Sequence, residues 1–276
     1  MYATPTSSEE GGHPVTVVSL TKMKQAGEKI ACLTAYDASF ATVVDRCGVD
    51  LVLVGDSLGM VIQGHSTTIP VSVDDMIYHT KAVARAVRRG FLVADMPFMS
   101  YPDGPRALEN AARLMQEGGA SMVKLEGGVG QLEVVDYLAR RSIPVCAHLG
   151  LQPQAVHKIG GYKVQGRDPE AAVTMRKNAM ALEEAGADIV LLECVPKELA
   201  ASIASSAAVP VIGIGAGPDV DGQILVLYDV LNIGVGHRAR FVRNFMEDAA
   251  SIDEAILAYV GAVKDGSYPA PEHCYT

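Results

Sequence analysis

The sequence predicts an α/β fold: a single (β/α)8 TIM-type barrel with a polar N-terminal arm and a C-terminal helical extension. Two observations predict it. Short runs rich in Val, Ile and Leu alternate with longer segments of helical periodicity almost from end to end, the mark of βα units repeated around a parallel sheet. Strand-like runs begin near Ala31, Asp50, Phe91, Ser121, Ile143, Asp188 and Val209, with a weaker eighth near Ile224. The rival architecture is a doubly wound sheet, but no linker interrupts the alternation and no second dinucleotide-binding half is apparent.

Taken in order, residues 1–14 are polar and Gly-rich with no apolar core segment, so they read as a disordered arm rather than a secretory signal. Residues 15–276 read as one catalytic domain. Ser72 caps a helix, with Asp75 three residues on, and Gly90 stops the segment that runs through Ala82 to Arg89. Further helices are expected over Pro105–Glu117, Gln131–Arg140, Pro169–Ala185 and Lys197–Ser206. The longest irregular connection, Leu149 to Arg167, contains Gly160, Gly161 and Gly166 and is either a lid or a surface excursion. The amphipathic stretch Ala249–Val263 offers an apolar stripe to a partner subunit or to its own barrel.

The formal net charge of −9, with basic residues scattered along predicted helices, argues against nucleic acid and anionic membranes as partners. Apolar runs such as Ala187–Val195 fall short of the roughly 20 residues that span a bilayer. Cys32, Cys47, Cys146, Cys194 and Cys274 are widely separated and include no Cys-x-x-Cys pair. They read as packing thiols in a reducing, cytoplasmic setting.

Barrel active sites lie where strands end, so polar residues there carry the chemical information. Leu51-Val52-Leu53-Val54-Gly55 runs into Asp56, and Phe91-Leu92-Val93-Ala94 into Asp95. Strand alternation puts Asp56 on the face of Val52 and Val54 and Asp95 on the face of Phe91 and Val93, and both are expected to point inward. Paired carboxylates without a Cys or His pair favour a hard cation, magnesium first. Lys124 and Glu126 share a face of the next strand, either as a simple ion pair or as an anion-binding group with a support for the metal. His148 ends the fifth strand as scaffold, ligand contact or acid-base group. Glu193 ends a strongly apolar sixth strand, where desolvation raises a carboxyl pKa toward neutrality and suits it to proton transfer. Gly213-Ile214-Gly215-Ala216-Gly217-Pro218 offers either a close approach to a ligand or a tight turn, and Pro218 breaks the dinucleotide fingerprint.

Several ordered strings resemble ketopantoate hydroxymethyltransferases: Leu33-Thr34-Ala35-Tyr36-Asp37, Val54-Gly55-Asp56-Ser57-Leu58-Gly59-Met60 and Ala94-Asp95-Met96-Pro97-Phe98. The likeness continues through Val123-Lys124-Leu125-Glu126-Gly127-Gly128, His148-Leu149-Gly150-Leu151-Gln152-Pro153-Gln154, Gly160-Gly161-Tyr162-Lys163-Val164-Gln165-Gly166-Arg167, Leu192-Glu193-Cys194-Val195-Pro196 and the Gly213 segment, spanning roughly Leu20 to His273. The resemblance implies a barrel that transfers a hydroxymethyl group from 5,10-methylenetetrahydrofolate to 3-methyl-2-oxobutanoate through a metal-stabilised enolate. The product would be ketopantoate, in pantothenate biosynthesis. It further implies magnesium on Asp56 and Asp95 with Glu126 in or beside its shell, the oxo acid held by Asp56, Ser57, Asp95 and Lys124, Glu193 as the catalytic proton carrier, and a homodecamer. A magnesium-dependent oxo-acid lyase or mutase on the same barrel is the enzyme alternative, and a metal- and acid-binding regulatory barrel the non-enzyme one.

Overall fold

In strands that bury both faces, alternate side chains must find two different apolar surroundings, and here they do. Ile30, Cys32, Leu51, Leu53, Phe91, Val93, Met122, Cys146, Ile189, Leu191, Ile212 and Ile224 fill the barrel interior. Ala31, Leu33, Val52, Val54, Leu92, Ala94, Val123 and Leu125 pack outward with the helices. The computed structural model describes residues 13–234 and 238–276. The strands are β1 (Ile30–Thr34), β2 (Leu51–Val54), β3 (Phe91–Asp95), β4 (Met122–Glu126), β5 (Val145–Gly150), β6 (Ile189–Glu193), β7 (Val211–Ile214) and β8 (Gly222–Leu225). They form a closed barrel in chain order, with β8 paired in parallel to β1. Each strand begins within two residues of its predicted position. The arm expected over residues 1–14 lies, apart from His13 and Pro14, outside the described residues.

The helix Val73–Ala84 starts as expected, with a reciprocal capping box between Ser72 and Asp75, but it ends at Ala84 instead of running on to Arg89. The Asp45 carboxylate explains this early stop. It accepts from the backbone N–H groups of Arg88, Arg89 and Gly90, drawing them away from helical partners. The helices Gly104–Gln116, Leu132–Ala139, Pro169–Glu184 and Lys197–Ser206 lie where predicted to within a few residues.

No helix joins β7 to β8: the crossover is the segment Gly215–Asp221. It turns with Gly215 at φ 63° and Gly217 at φ 81°. A Cβ on Gly215 would lie 2.7 Å from the Phe241 ring, and one on Gly217 2.4 Å from Lys197 Cβ. Both glycines therefore serve a tight, protein-packed turn.

Three strands share one device at the N-terminal end of the barrel. Asp50, Asp188 and Asp221 immediately precede β2, β6 and β8, and each carboxylate accepts from a backbone N–H of the preceding strand, at Ala31 (3.0 Å), Val145 (3.0 Å) and Val211 (2.8 Å). Each of these aspartates also returns its own N–H to the carbonyl of the same residue. The reciprocal pair pins the register at the strand start.

The C-terminal helix Ile252–Lys264 buries Ala255, Ile256, Tyr259, Ala262 and Val263. Tyr259 donates to the carbonyls of Cys32 and Gln223, at 2.6 and 3.0 Å. The apolar stripe offered by this stretch packs on its own barrel.

Candidate active site

At the C-terminal ends of the strands lies a cavity of about 180 Å³, lined in part by Asp56, Ser57, Asp95, Lys124, Glu126, His148 and Glu193. All seven residues singled out from the sequence therefore meet in one place. Asp95, Lys124, Glu126, His148 and Glu193 continue the inward sets of their strands. Asp56 reaches the cavity by a different route from the one predicted, because Val52 and Val54 face outward into the helical layer. β2 ends at Val54, and Gly55 redirects the chain before Asp56. A Cβ on Gly55 would stand 2.7 Å from Ser57 Oγ, so a side chain at this position would displace the Ser57 hydroxyl.

The acids form a crowded, buried cluster. The Asp56 N–H donates to Asp95 Oδ2 at 2.9 Å. Lys124 does not pair with Glu126 on its own strand; its Nζ meets Asp95 Oδ1 at 2.5 Å across the β3–β4 ladder, where Asp95 and Lys124 are register partners. Neighbouring strands lie about 4.8 Å apart, closer than residues two apart along one strand, so the cross-strand acid wins. Burial, followed by the charges of Asp95 and Glu126, drives the Asp56 carboxyl well above the usual carboxylate range, with Lys124 and Gln154 opposing. Burial works against the Lys124 charge, yet Asp95, Glu126 and Asp56 together hold its ammonium above the usual lysine range.

His148 is 1 % exposed. Its Nδ1 stands 3.5 Å from Glu126 Oε1 and its Nε2 3.3 Å from Glu193 Oε2, ion-pair contacts out of hydrogen-bond alignment. Burial and Lys124 both push the imidazole toward neutrality, but the flanking carboxylates outweigh them and raise it to about 9. The end of β6 is less dry than its apolar run suggests, because 17 % of the Glu193 side chain stays exposed.

Three supporting residues carry no role in the reading from sequence. Gln154, from the connection after β5, is buried; its Nε2 donates to Asp56 Oδ2 at 2.8 Å and its N–H to Glu126 Oε2 at 3.1 Å. Tyr101 caps the same network, accepting from the Glu126 N–H at 3.2 Å. Tyr36 OH lies 2.8 Å from Ser57 Oγ and fixes that hydroxyl. The connection from Leu149 to Arg167 is thus neither structureless nor a bystander. It folds a 3-10 turn at Pro153–Ala155 and a short helix at Val156–Ile159, and contributes Gln154 and Tyr162 to the site.

Residues 14–271 match the family model described as ketopantoate hydroxymethyltransferase. The chain belongs to this family. A relative from Janthinobacterium sp. (strain Marseille), described as 3-methyl-2-oxobutanoate hydroxymethyltransferase, is 56 % identical over 95 % of this chain and 96 % of its own. One from Alkalilimnicola ehrlichii with the same description is 58 % identical, covering 95 % of each. The chain is accordingly an enzyme, a hydroxymethyltransferase. Among solved structures, a phosphonopyruvate hydrolase in complex with oxalate and Mg++ superposes with TM-score 0.59 at 15 % identity, over 90 % of this chain and 95 % of its own. An oxaloacetate acetylhydrolase with its product oxalate gives 0.58 at 16 %, over 93 % and 99 %. These two share the barrel.

Among the described residues, no three His, Cys, Asp or Glu side chains converge as a ready-made metal cage. The hydroxymethyltransferase site nevertheless fits a magnesium ion, which takes one or two carboxylates and completes its shell with water and substrate oxygens. Three buried acids face Lys124 and His148, and Glu126 Oε1, 3.5 Å from His148 Nδ1, has no aligned hydrogen-bond partner. A cation placed among them meets groups that the protein leaves only partly compensated. No helix among the described residues is long and apolar enough to cross a membrane.

Proposed function

We propose that this chain transfers a hydroxymethyl group from 5,10-methylenetetrahydrofolate to 3-methyl-2-oxobutanoate, forming ketopantoate for pantothenate biosynthesis. The observation that carries the reading is the under-compensated acid cluster, opening on a cavity of about 180 Å³, in a chain of this family. A small oxo acid fills such a space, and the relatives' names specify which one.

In this reading Asp56 and Asp95 hold magnesium and Glu126 lies beside it, steadied by the Gln154 N–H. When bound, the ion supplies positive charge at the carbonyl and carboxylate oxygens of the oxo acid, which acidifies carbon three. Lys124 spends one donor on Asp95 and turns its others to the substrate carboxylate. Ser57, fixed by Tyr36, hydrogen-bonds the oxo acid. Glu193 removes the carbon-three proton, and His148, whose Nε2 lies 3.3 Å from Glu193 Oε2, holds that carboxylate in position. Folate carries the electrophilic carbon; the protein's part is to hold the two reactants at bonding distance.

The test is a product assay with 3-methyl-2-oxobutanoate, methylenetetrahydrofolate and magnesium, omitting each in turn. Deuterium exchange at carbon three without folate then isolates the proton step. Glu193→Gln should abolish both exchange and transfer while retaining oxo-acid binding. Exchange at the normal rate in the folded variant would assign the proton to another group. A cytoplasmic homodecamer completes the proposal. Exposed Tyr78, Val173, Met180 and Leu257 supply apolar surface for subunit contacts, and light scattering reads the number of 29.1 kDa chains directly.

A further inference from the structure

The residue after Glu193 has an unusual backbone. Cys194 holds φ at 49°, a left-handed conformation that a residue with a Cβ keeps only where its surroundings over-determine it. Here they do. The Cys194 N–H donates to the Ile214 carbonyl at 2.9 Å, and the Cys194 carbonyl accepts from the Gln165 N–H at 2.9 Å. On either side, the Val195 N–H donates to the Gly215 carbonyl at 3.1 Å and the Glu193 carbonyl accepts from the Leu151 N–H at 2.8 Å. The backbone that aims the Glu193 carboxylate is thus tied to β7, to the turn after it and to the connection after β5.

The segment Ala270–Thr276, which follows the helix Ile252–Lys264, closes on the same partners. The Tyr275 carbonyl accepts from the Lys197 N–H at 3.0 Å, and Thr276 O accepts from Arg167 Nε at 3.0 Å, two residues beyond Gln165. The Tyr275 ring lies so close over Gly215 that a Cβ there would stand 3.1 Å from its Cε2. On its other side the Arg240 guanidinium stands 5.5 Å from the ring centroid. The Cys194 thiol is buried next to this ring. Burial and the Glu193 charge push the thiol up to about 12, with the neighbouring Tyr275 hydroxyl opposing, so it packs as a neutral group. The bonds that fix Cys194 and Val195 therefore reach loops that Tyr275 and Thr276 hold down.

We propose that Tyr275 is a positioning residue for Glu193: it clamps the turns after β6 and β7, keeps Cys194 left-handed, and so sets the direction from which the Glu193 carboxylate meets carbon three of the oxo acid. Tyr275 does not line the acid cavity and acts through Cys194. The assignment rests on the reading of Glu193 as the base.

The test is carbon-three deuterium exchange of 3-methyl-2-oxobutanoate with magnesium and without folate. Tyr275→Ala should lower the kcat of exchange about 30-fold with the oxo-acid KM within about threefold, since the reacting groups remain and only their alignment is lost. Tyr275→Phe, which keeps the ring, should recover exchange to within about threefold of the parent. Adding Cys194→Gly to Tyr275→Ala should recover about tenfold, because glycine takes the left-handed conformation without a clamp. Arg167→Met, a change at an exposed side chain, releases Thr276 alone and should lower kcat about fivefold. Parental exchange in folded Tyr275→Ala and Arg167→Met overturns the proposal. So does a loss that Cys194→Gly leaves unrecovered, or one matched by an equal rise in KM, which marks a general loosening of the site. Glu193→Gln separates the two readings. Normal exchange in that variant overturns the base reading and the positioning with it, whereas abolished exchange beside a parental Tyr275→Ala overturns the positioning alone.

Discussion

At the N-terminal end of the barrel, Asp50 is fully buried and fully answered: Arg89 at 2.7 Å, Lys264 at 2.6 Å and the Ala31 N–H at 3.0 Å. At the opposite end Asp56, 3 % exposed, is surrounded by Asp95 and Glu126, with Lys124 the only lysine near the three. The two ends bury the same functional group in opposite company. A buried charge with several donors locks the fold, whereas a buried charge left among its own kind raises the energy of the empty site and lowers that of the occupied one. Stability belongs to the bottom of this barrel and chemistry to the top, as in other barrels of this type.

The largest expected effect tests that division at the top. Asp56→Asn should lower kcat/KM about 10³-fold, because the amide keeps the shape and loses the anionic oxygen. In chelator, the same variant should melt no lower than the parent. The folded protein holds the Asp56 carboxyl above its usual range, so its ionised form opposes folding. This opposition is complete above the raised pKa and vanishes as pH falls below the unfolded value of about 4, where both states are protonated. The variant's advantage in melting temperature should therefore be present in the neutral range and disappear toward pH 4. A clear drop in melting temperature at pH 7 would put Asp56 in the same class as Asp50.

Asp50→Ala is the mirror experiment. It leaves Arg89 and Lys264 without their shared carboxylate and should cost about 3 kcal/mol, measured by denaturant midpoint, with kcat per folded molecule within about twofold of the parent. A large loss of kcat in folded protein would break the comparison from below.

Gln154 bridges structure and chemistry within the upper end. Gln154→Leu keeps the volume but removes the donor to Asp56 and the acceptor for Tyr101, and should reduce metal affinity and kcat/KM by about 10–100-fold. An effect confined to melting temperature would make this residue packing.

The same division explains how much of the molecule was readable from its sequence. Asp95, Lys124, Glu126, His148 and Glu193 sit on strands, and strict alternation from Phe91, Met122, Cys146 and Ile189 turns them into one interior. Alternation misdirected Asp56, since it assumes that the strand persists through Gly55. Gln154 and Tyr36 stand in family-like strings yet receive no role from the sequence, because their meaning lies in contacts with partners 98 and 21 residues away. The Lys124 partner was misassigned for a related reason: Glu126 is near it in sequence, but Asp95 faces it across the ladder. At the bottom, the strings Gly48-Val49-Asp50 and Gly186-Ala187-Asp188 read only as places where strands begin. That their carboxylates clamp the preceding strand depends on a pairing that the chain order alone does not display.

The clamp's recurrence permits the smallest and sharpest test. Asp precedes β2, β6 and β8, but Ser121 precedes β4, and its N–H bonds the Leu92 carbonyl at 2.8 Å just as the aspartate N–H groups bond theirs. Backbone placement is equivalent; among the described hydrogen bonds, only the side-chain half of the reciprocal pair is missing. Ser121→Asp should supply it, with the new carboxylate accepting from the Leu92 N–H. Because Ser121 is exposed, solvent competes for that carboxylate, so the gain should be about 0.5–1 kcal/mol, below the roughly 1.5–3 kcal/mol of a hydrogen bond to a charged group. For a chain of this size that is a rise of about 1–4 °C in melting temperature, with no change in kcat. The gain should fade below about pH 4 as the new acid protonates, the reverse of what is expected for the ionised Asp56. A flat response at neutral pH would show that the three existing clamps hold register without adding net stability, and that the strength of the lower end resides in the Asp50 ion pairs alone.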